Sequence, residues 1–172
     1  MSLPASQGRA IGSLLLRWGP PFLWMVVASL LSTDGFSGQQ TGRYLIPLLH
    51  WVFPGASLKT LIALHVGIRK GMHVFEYGVL AWLWYRALKW GEPGWRPQAA
   101  VRAFLLAAAF GTADEIHQSF QPRRSASAVD VGLDSLGAFF GLGSCWILRG
   151  EEEPSRKANA PGGVPPGGVW LG

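Results

Sequence analysis

The chain has 172 residues, a length that fits one domain of ordinary size. Only 15% of it is Asp, Glu, Lys or Arg, against roughly 25% in soluble domains, and nine Trp, 23 Gly and a mean hydropathy of +0.22 point to helices that cross a bilayer. The net charge of +5 comes from basic residues scattered among apolar runs with no stripe to track a phosphate backbone, which speaks against nucleic acid, and the single Cys145 excludes an intrachain disulfide and a thiolate zinc site.

Between Arg17 and Asp34 the stretch WGPPFLWMVVASLLST carries no charge and predicts a first span close to residues 17–33. A signal peptide has a similar layout, but no small-x-small cleavage site follows cleanly, so the stretch reads as a retained helix. The segment from Gly35 to Ile68 holds YLIPLLHWVF and ASLKTLIALHVGI, each too short to cross and amphipathic enough to lie in the interface. His50 and His65 within it read as interfacial side chains rather than ligands. Three further apolar stretches predict spans close to 70–90, 98–120 and 128–149. None is free of charge: the uncharged runs are Tyr77 to Tyr85, Ala103 to Ala113 and Ser135 to Leu148, so hydropathy alone also leaves these three open as buried helices of a soluble bundle.

The expected fold is all-α, a polytopic membrane bundle of about four transmembrane helices with short interfacial helices in the first external segment. Residues 1–150 form the membrane domain. Residues 151–172, EEEPSRKANAPGGVPPGGVWLG, are rich in Pro, Gly and charge and read as a disordered cytoplasmic tail. With a cytoplasmic N-terminus, the inside segments hold nine Lys and Arg against six outside, which favours both termini in the cytoplasm.

Polar residues inside the predicted spans follow helical spacing, in which positions three, four and seven apart share a face. Arg69, His73, Glu76, Tyr77, Leu80 and Trp84 form one stripe; Ala107, Gly111, Asp114 and Gln118 form a second, flanked by Glu115 and His117; Asp130, Asp134, Gly137, Gly141 and Ser144 form a third. Gly137 and Gly141 make a small-xxx-small pair that lets helices touch, so the third stripe and its two aspartates point into the bundle. At ~1.5 Å of rise per residue, Glu76, Asp114 and Asp134 all fall roughly 6–8 Å outward of the bilayer midplane. Ionisable groups at such depth cost roughly 2.5 kcal/mol or more each unless they face protein or water. A shared pocket in the outer leaflet is therefore expected, with a tight turn at Gln121–Pro122 in its wall.

These residues resemble the VanZ-like family of bacterial integral membrane proteins. The family pattern is a basic pair before H-x-x-x-Y, then D-E-x-x-Q-x-F, a Pro-containing turn with Arg, and D-x-x-x-D/N ahead of a Gly-rich helix. Here its elements are Arg69-Lys70, His73 and Tyr77; Asp114, Glu115, Gln118 and Phe120; Pro122 and Arg124; and Asp130, Asp134 and Gly137, a motif-bearing core of residues 69–141. Arg123 departs from the pattern, and spacing to Asp130 favours Arg124 as the arginine that enters the pocket. The resemblance implies a protein of the bacterial cytoplasmic (inner) membrane and a link to glycopeptide resistance of the teicoplanin type. It attaches no reaction.

The leading expectation is a ligand site made of Arg69, His73, Tyr77, Asp114, Glu115, Gln118, Arg124, Asp130 and Asp134. Its partner is expected to be a membrane lipid or a lipid-linked envelope precursor, held by the cations while the carboxylates orient them. An enzyme is a second reading, with His73, Glu76, Asp114 and Glu115 as candidate acid/base groups. His73-x-x-Glu76 and Asp114-x-x-His117 only loosely echo the metal pairs of helical bundles, and two nearby arginines disfavour a cation, so neither a metal nor a cofactor is expected. A third reading is structural, with charges that pair only to fix helix packing.

Overall fold

The structure, a computed structural model, describes residues 5–33, 35, 37–120 and 127–158. Among these residues there are five helices and no strand: α1 (Ala5–Leu31), α2 (Gly38–Val52), α3 (Leu58–Leu88), α4 (Pro97–Ser119) and α5 (Ala128–Ala158). The starts of α3 and α4 have local causes. Ser57 caps α3 by accepting a hydrogen bond from the Thr60 amide at 3.2 Å. After Leu88 the chain turns through Gly91 and Gly94, whose φ values of 77° and 70° suit glycine, and Pro97 opens the first turn of α4, where its missing N–H costs nothing.

α3 is the central element and packs against all four others. On its half nearest Leu88 it buries Tyr77, Leu80, Ala81, Trp84 and Tyr85 against Ala99, Ala100, Ala103 and Ala107 of α4 and Ala138 and Leu142 of α5. The alanines bring α4 close while adding no side-chain entropy to lose. α1 lies along α3 with Trp18 tilted and Phe22 edge-on against Trp84, ring centroids 6.1 and 5.4 Å apart. The two helices also exchange hydrogen bonds: Arg17 Nε donates to the carbonyl of Ala87 at 2.8 Å, and Arg86 Nη2 donates to the carbonyl of Leu16 at 2.9 Å. The Ala87 carbonyl lies in the last turn of α3, where backbone acceptors lack helical partners.

The closest approach in the bundle is between α3 and α5. A Cβ added at Gly137 would stand 2.2 Å from the Val74 carbonyl oxygen, and one at Gly141 would stand 2.2 Å from that of Gly78. The expected small-residue face is thus real, and its counterpart on α3 is Val74 and Gly78.

Several boundaries differ from the sequence reading. α1 begins well before Arg17 and carries Pro20 and Pro21 in its interior instead of at its start. YLIPLLHWVF lies in a separate helix, α2, but ASLKTLIALHVGI is not a second short helix: from Leu58 it is the first part of α3, because no Gly-Pro break separates it from the stretch beyond Arg69. α5 runs on through Glu151 to Ala158, into the segment expected as a disordered tail, consistent with the helix propensity of Glu, Arg and Lys; residues 159–172 lie outside the described ones. Two helices, not four, are long and apolar enough to cross a membrane by length and composition, over Ala10–Leu31 and Ala128–Leu148. α3 and α4 fall short because Arg69, Lys70, Glu76 and Arg86 in the one, and Arg102, Asp114 and Glu115 in the other, lower their mean hydropathy. Little of either apolar span is covered by the rest of the protein, so neither is the core helix of a soluble fold. Leu15, Leu23, Phe139 and Ile147 are each about two-thirds exposed on the outer faces of α1 and α5.

Candidate functional site

Beyond the aromatic core, the interior of the bundle becomes polar, and three small groups of side chains meet there. The first joins α1 and α4. Asp114, buried, accepts hydrogen bonds at Oδ2 from the Ser32 hydroxyl and from Gln118 Nε2, the latter at 2.9 Å. Asp114 and Gln118 are one helical turn apart, which is why a single local pair forms on the inward face of α4.

The second group takes one residue from each of three helices. His73 of α3 has its Nδ1 3.1 Å from Oδ1 of Asp134 on α5, and the aspartate side chain is only 2% exposed. Glu115 of α4, 4% exposed, accepts a hydrogen bond at Oε2 from the backbone N–H of Ser127, just ahead of α5, at 2.8 Å. A donor atom of His73, one of Glu115 and one of Asp134 lie within 4.8 Å of one another. Oε1 of Glu115 and the hydroxyl of Tyr77 are buried with no hydrogen-bonding partner among the described residues. Gly111 makes room for this convergence: a Cβ there would meet Tyr77 Cε1 at 3.0 Å and Asp134 Oδ2 at 3.1 Å.

The third group lies between α2 and α3. Arg69 Nη1 donates to Thr41 Oγ1 at 3.4 Å, and the same hydroxyl is 3.2 Å from His65 Nε2. His65 is buried, which corrects its expected place in the interface: α2 folds back over it and supplies the threonine. Burial, with Arg69 nearby, holds the His65 imidazole below its ordinary pKa. His50 is exposed, as an interfacial side chain would be.

A cavity of about 190 Å³ opens beside these groups. Ser32, Thr41, Arg69, His73 and Glu76 give it polar walls, and Leu31, Leu45, Ile68 and Met72 give it apolar ones. Among the predicted site residues, Arg69, His73 and Glu76 line the cavity, whereas Tyr77, Asp114, Glu115, Gln118 and Asp134 are buried inside the bundle. Asp130 is half-buried in the first turn of α5, and His117 and Phe120 face outward. Arg123, Arg124 and the turn at Gln121–Pro122 lie outside the described residues. Sequence reasoning missed Ser32, Thr41 and His65. Ser32 and Thr41 have no side-chain partner at helical spacing; beyond the local bond of the Thr41 hydroxyl to the Ser37 carbonyl, their side-chain contacts form only when α1 and α2 dock on α3 and α4.

An all-helical bundle with two long, apolar and largely uncovered helices is the architecture of a small membrane protein, here with a histidine–carboxylate cluster in its interior. The sequence matches the VanZ/LLP1 family over residues 21–149, and the chain belongs to that family. The match begins in α1, so it takes in the helix that supplies Ser32 as well as the motif-bearing core. Neither a curated protein nor a solved structure matches the chain.

Proposed function

We propose that the protein is a multi-pass component of the bacterial cytoplasmic membrane whose cavity engages an anionic envelope component, a phosphate-bearing lipid headgroup or a lipid-linked cell-wall precursor. The observation that carries this reading is the composition of the cavity wall. Arg69 and His73 line the cavity together with Leu31, Leu45, Ile68 and Met72, so one space offers a cation for a headgroup and an apolar wall for the start of an acyl chain.

In this reading α3 and α4 also cross the bilayer, with both termini cytoplasmic. Their charges are the reason they fail as free-standing spans, yet Asp114 and Glu115 are buried, while Phe75 and Trp82 of α3 and Val101, Leu105 and Ile116 of α4 are exposed. Polar residues inward and apolar residues outward is the arrangement a bilayer demands of helices that carry intramembrane charge. A role in teicoplanin-type glycopeptide resistance, implied by the family, belongs to the same reading through contact with cell-wall lipid.

A second reading, acid–base catalysis on such a lipid, is favoured by the His73–Asp134 contact, since a carboxylate on Nδ1 fixes the tautomer and orientation of an imidazole. Arg69→Lys tests the primary reading, because it keeps charge but loses the planar fork that grips phosphate. Native mass spectrometry with phosphatidylglycerol, run beside thermal unfolding, is expected to give weakened lipid binding at an unchanged melting temperature. Binding at wild-type strength, or a loss only in proportion to lost folding, leaves charges that serve packing alone.

A further inference from the structure

We propose that His73, Glu115 and Asp134 form a binding site for one divalent transition cation of the zinc or manganese type. Spacing along the chain does not group these three: of the two local His–carboxylate pairs, Asp114-x-x-His117 fails because His117 is exposed, and His73 meets carboxylates from α4 and α5.

Geometry supports the site first. At metal–ligand distances of about 2.0–2.2 Å, two donors on one ion lie roughly 3–3.6 Å apart. The 3.1 Å between His73 Nδ1 and Asp134 Oδ1 already has that value, so an ion can take the place of the proton shared between them. The donor from Glu115 is within 4.8 Å of the other two and reaches the same ion by side-chain rotation.

Charge balance supports it independently. Glu115 and Asp134 are almost fully buried, and among the described residues Asp134 pairs with His73 at 3.1 Å. Oε1 of Glu115 is buried and lacks a partner there, although Oε2 is held by the Ser127 amide. Two carboxylates and a neutral imidazole carry two negative charges, which one divalent cation cancels. The donor set also has the chemistry for it, since imidazole with carboxylate suits borderline cations better than the hard oxygen cages of calcium. A route of entry exists because His73 lines the cavity. No lipid contact enters this reasoning, so the site stands or falls separately from the proposed function.

The test uses the full chain purified in detergent, stripped with chelator and then dialysed against Zn²⁺ or Mn²⁺. Elemental analysis is expected to find one ion per chain, and the ion is expected to raise the melting temperature. His73→Gln, Glu115→Gln and Asp134→Asn should each weaken affinity by roughly tenfold or more, the scale that even outer-shell changes reach. Glu115→Gln is the decisive variant because its amide oxygen can still accept from Ser127, so it keeps the fold while losing the charge. A His50→Gln, His117→Gln double variant should bind as the wild type does, since both histidines are on the surface. Uptake well below one equivalent of either metal overturns the proposal, and so does wild-type affinity in Glu115→Gln or loss of uptake in the surface double variant.

Discussion

The two halves of α3 are held by different forces. From Tyr77 to Leu88 its inward face is aromatic and aliphatic, filled by the alanines of α4 and by Ala138 and Leu142. From Leu61 to Glu76 the same helix makes its contacts through His65, Arg69 and His73, each bonded to a polar side chain on another element. The polar half opens on a cavity of about 190 Å³ with polar walls, whereas the two hollows beside the apolar half, of about 450 and 400 Å³, are lined almost wholly by apolar side chains and glycine. Apolar packing in a bilayer has no hydrophobic drive between helices and depends on close fit, while polar side chains fix which helix faces which. Adhesion and register are thus divided along one helix, and the site occupies the half that sets register.

At the junction of the halves lies the glycine seam, and breaking it should have the largest effect. A methyl group at Gly141 has only a backbone carbonyl to push against, so Gly141→Ala should cost about 3 kcal/mol, the upper part of the range for overpacking. Gly143→Ala, on the same helix with nothing near its Cβ, should melt like the wild type. Thermal unfolding in detergent separates the two. Equal melting of both variants would remove close backbone approach as what joins the halves.

A smaller loss should follow in the polar half alone. Asp134→Ala takes away the partner of His73 and empties a fully buried position, at a cost of about 2 kcal/mol, the scale of an orphaned buried polar group. Asp134→Asn keeps an acceptor for the imidazole and should lose less. Denaturant unfolding of the two variants, without added metal, checks the order; an equal loss in Asp134→Asn and Asp134→Ala would mean that the charge, and not the hydrogen bond, holds this half together.

Much of this division was legible in the sequence. The stripes of α3, α4 and α5 placed Tyr77, Leu80, Asp114, Gln118, Asp134 and Gly137 on inward faces, since 3.6-residue periodicity survives any detail of packing. The span count was less secure, because hydropathy averages over a helix and cannot tell a charge that faces a neighbour from one that faces lipid. Which inward faces are polar was legible, but the pairing across helices was not: Ser32 with Asp114, and Thr41 with His65 and Arg69, join residues from separate helices, and no spacing along the chain encodes such meetings.

Helix α1 sharpens the comparison most finely, because it contributes to both halves: Trp18 to the apolar one and Ser32 to the polar one. Ser32 and Gln118 donate to the same oxygen of Asp114, so either can be lost while the other still satisfies that acceptor. Ser32→Ala and Gln118→Ala should therefore each cost only about 0.5–1 kcal/mol, the net worth of one hydrogen bond. Losing both strips a buried carboxylate of these two donors, and the double variant should lose more than the two single losses combined, by about 1 kcal/mol. Thermal unfolding of the four proteins in one detergent gives this coupling directly. A purely additive result would mean that Asp114 draws its stabilisation from elsewhere, and that α1 is held to the bundle by its aromatic contacts and by the Arg17 and Arg86 hydrogen bonds.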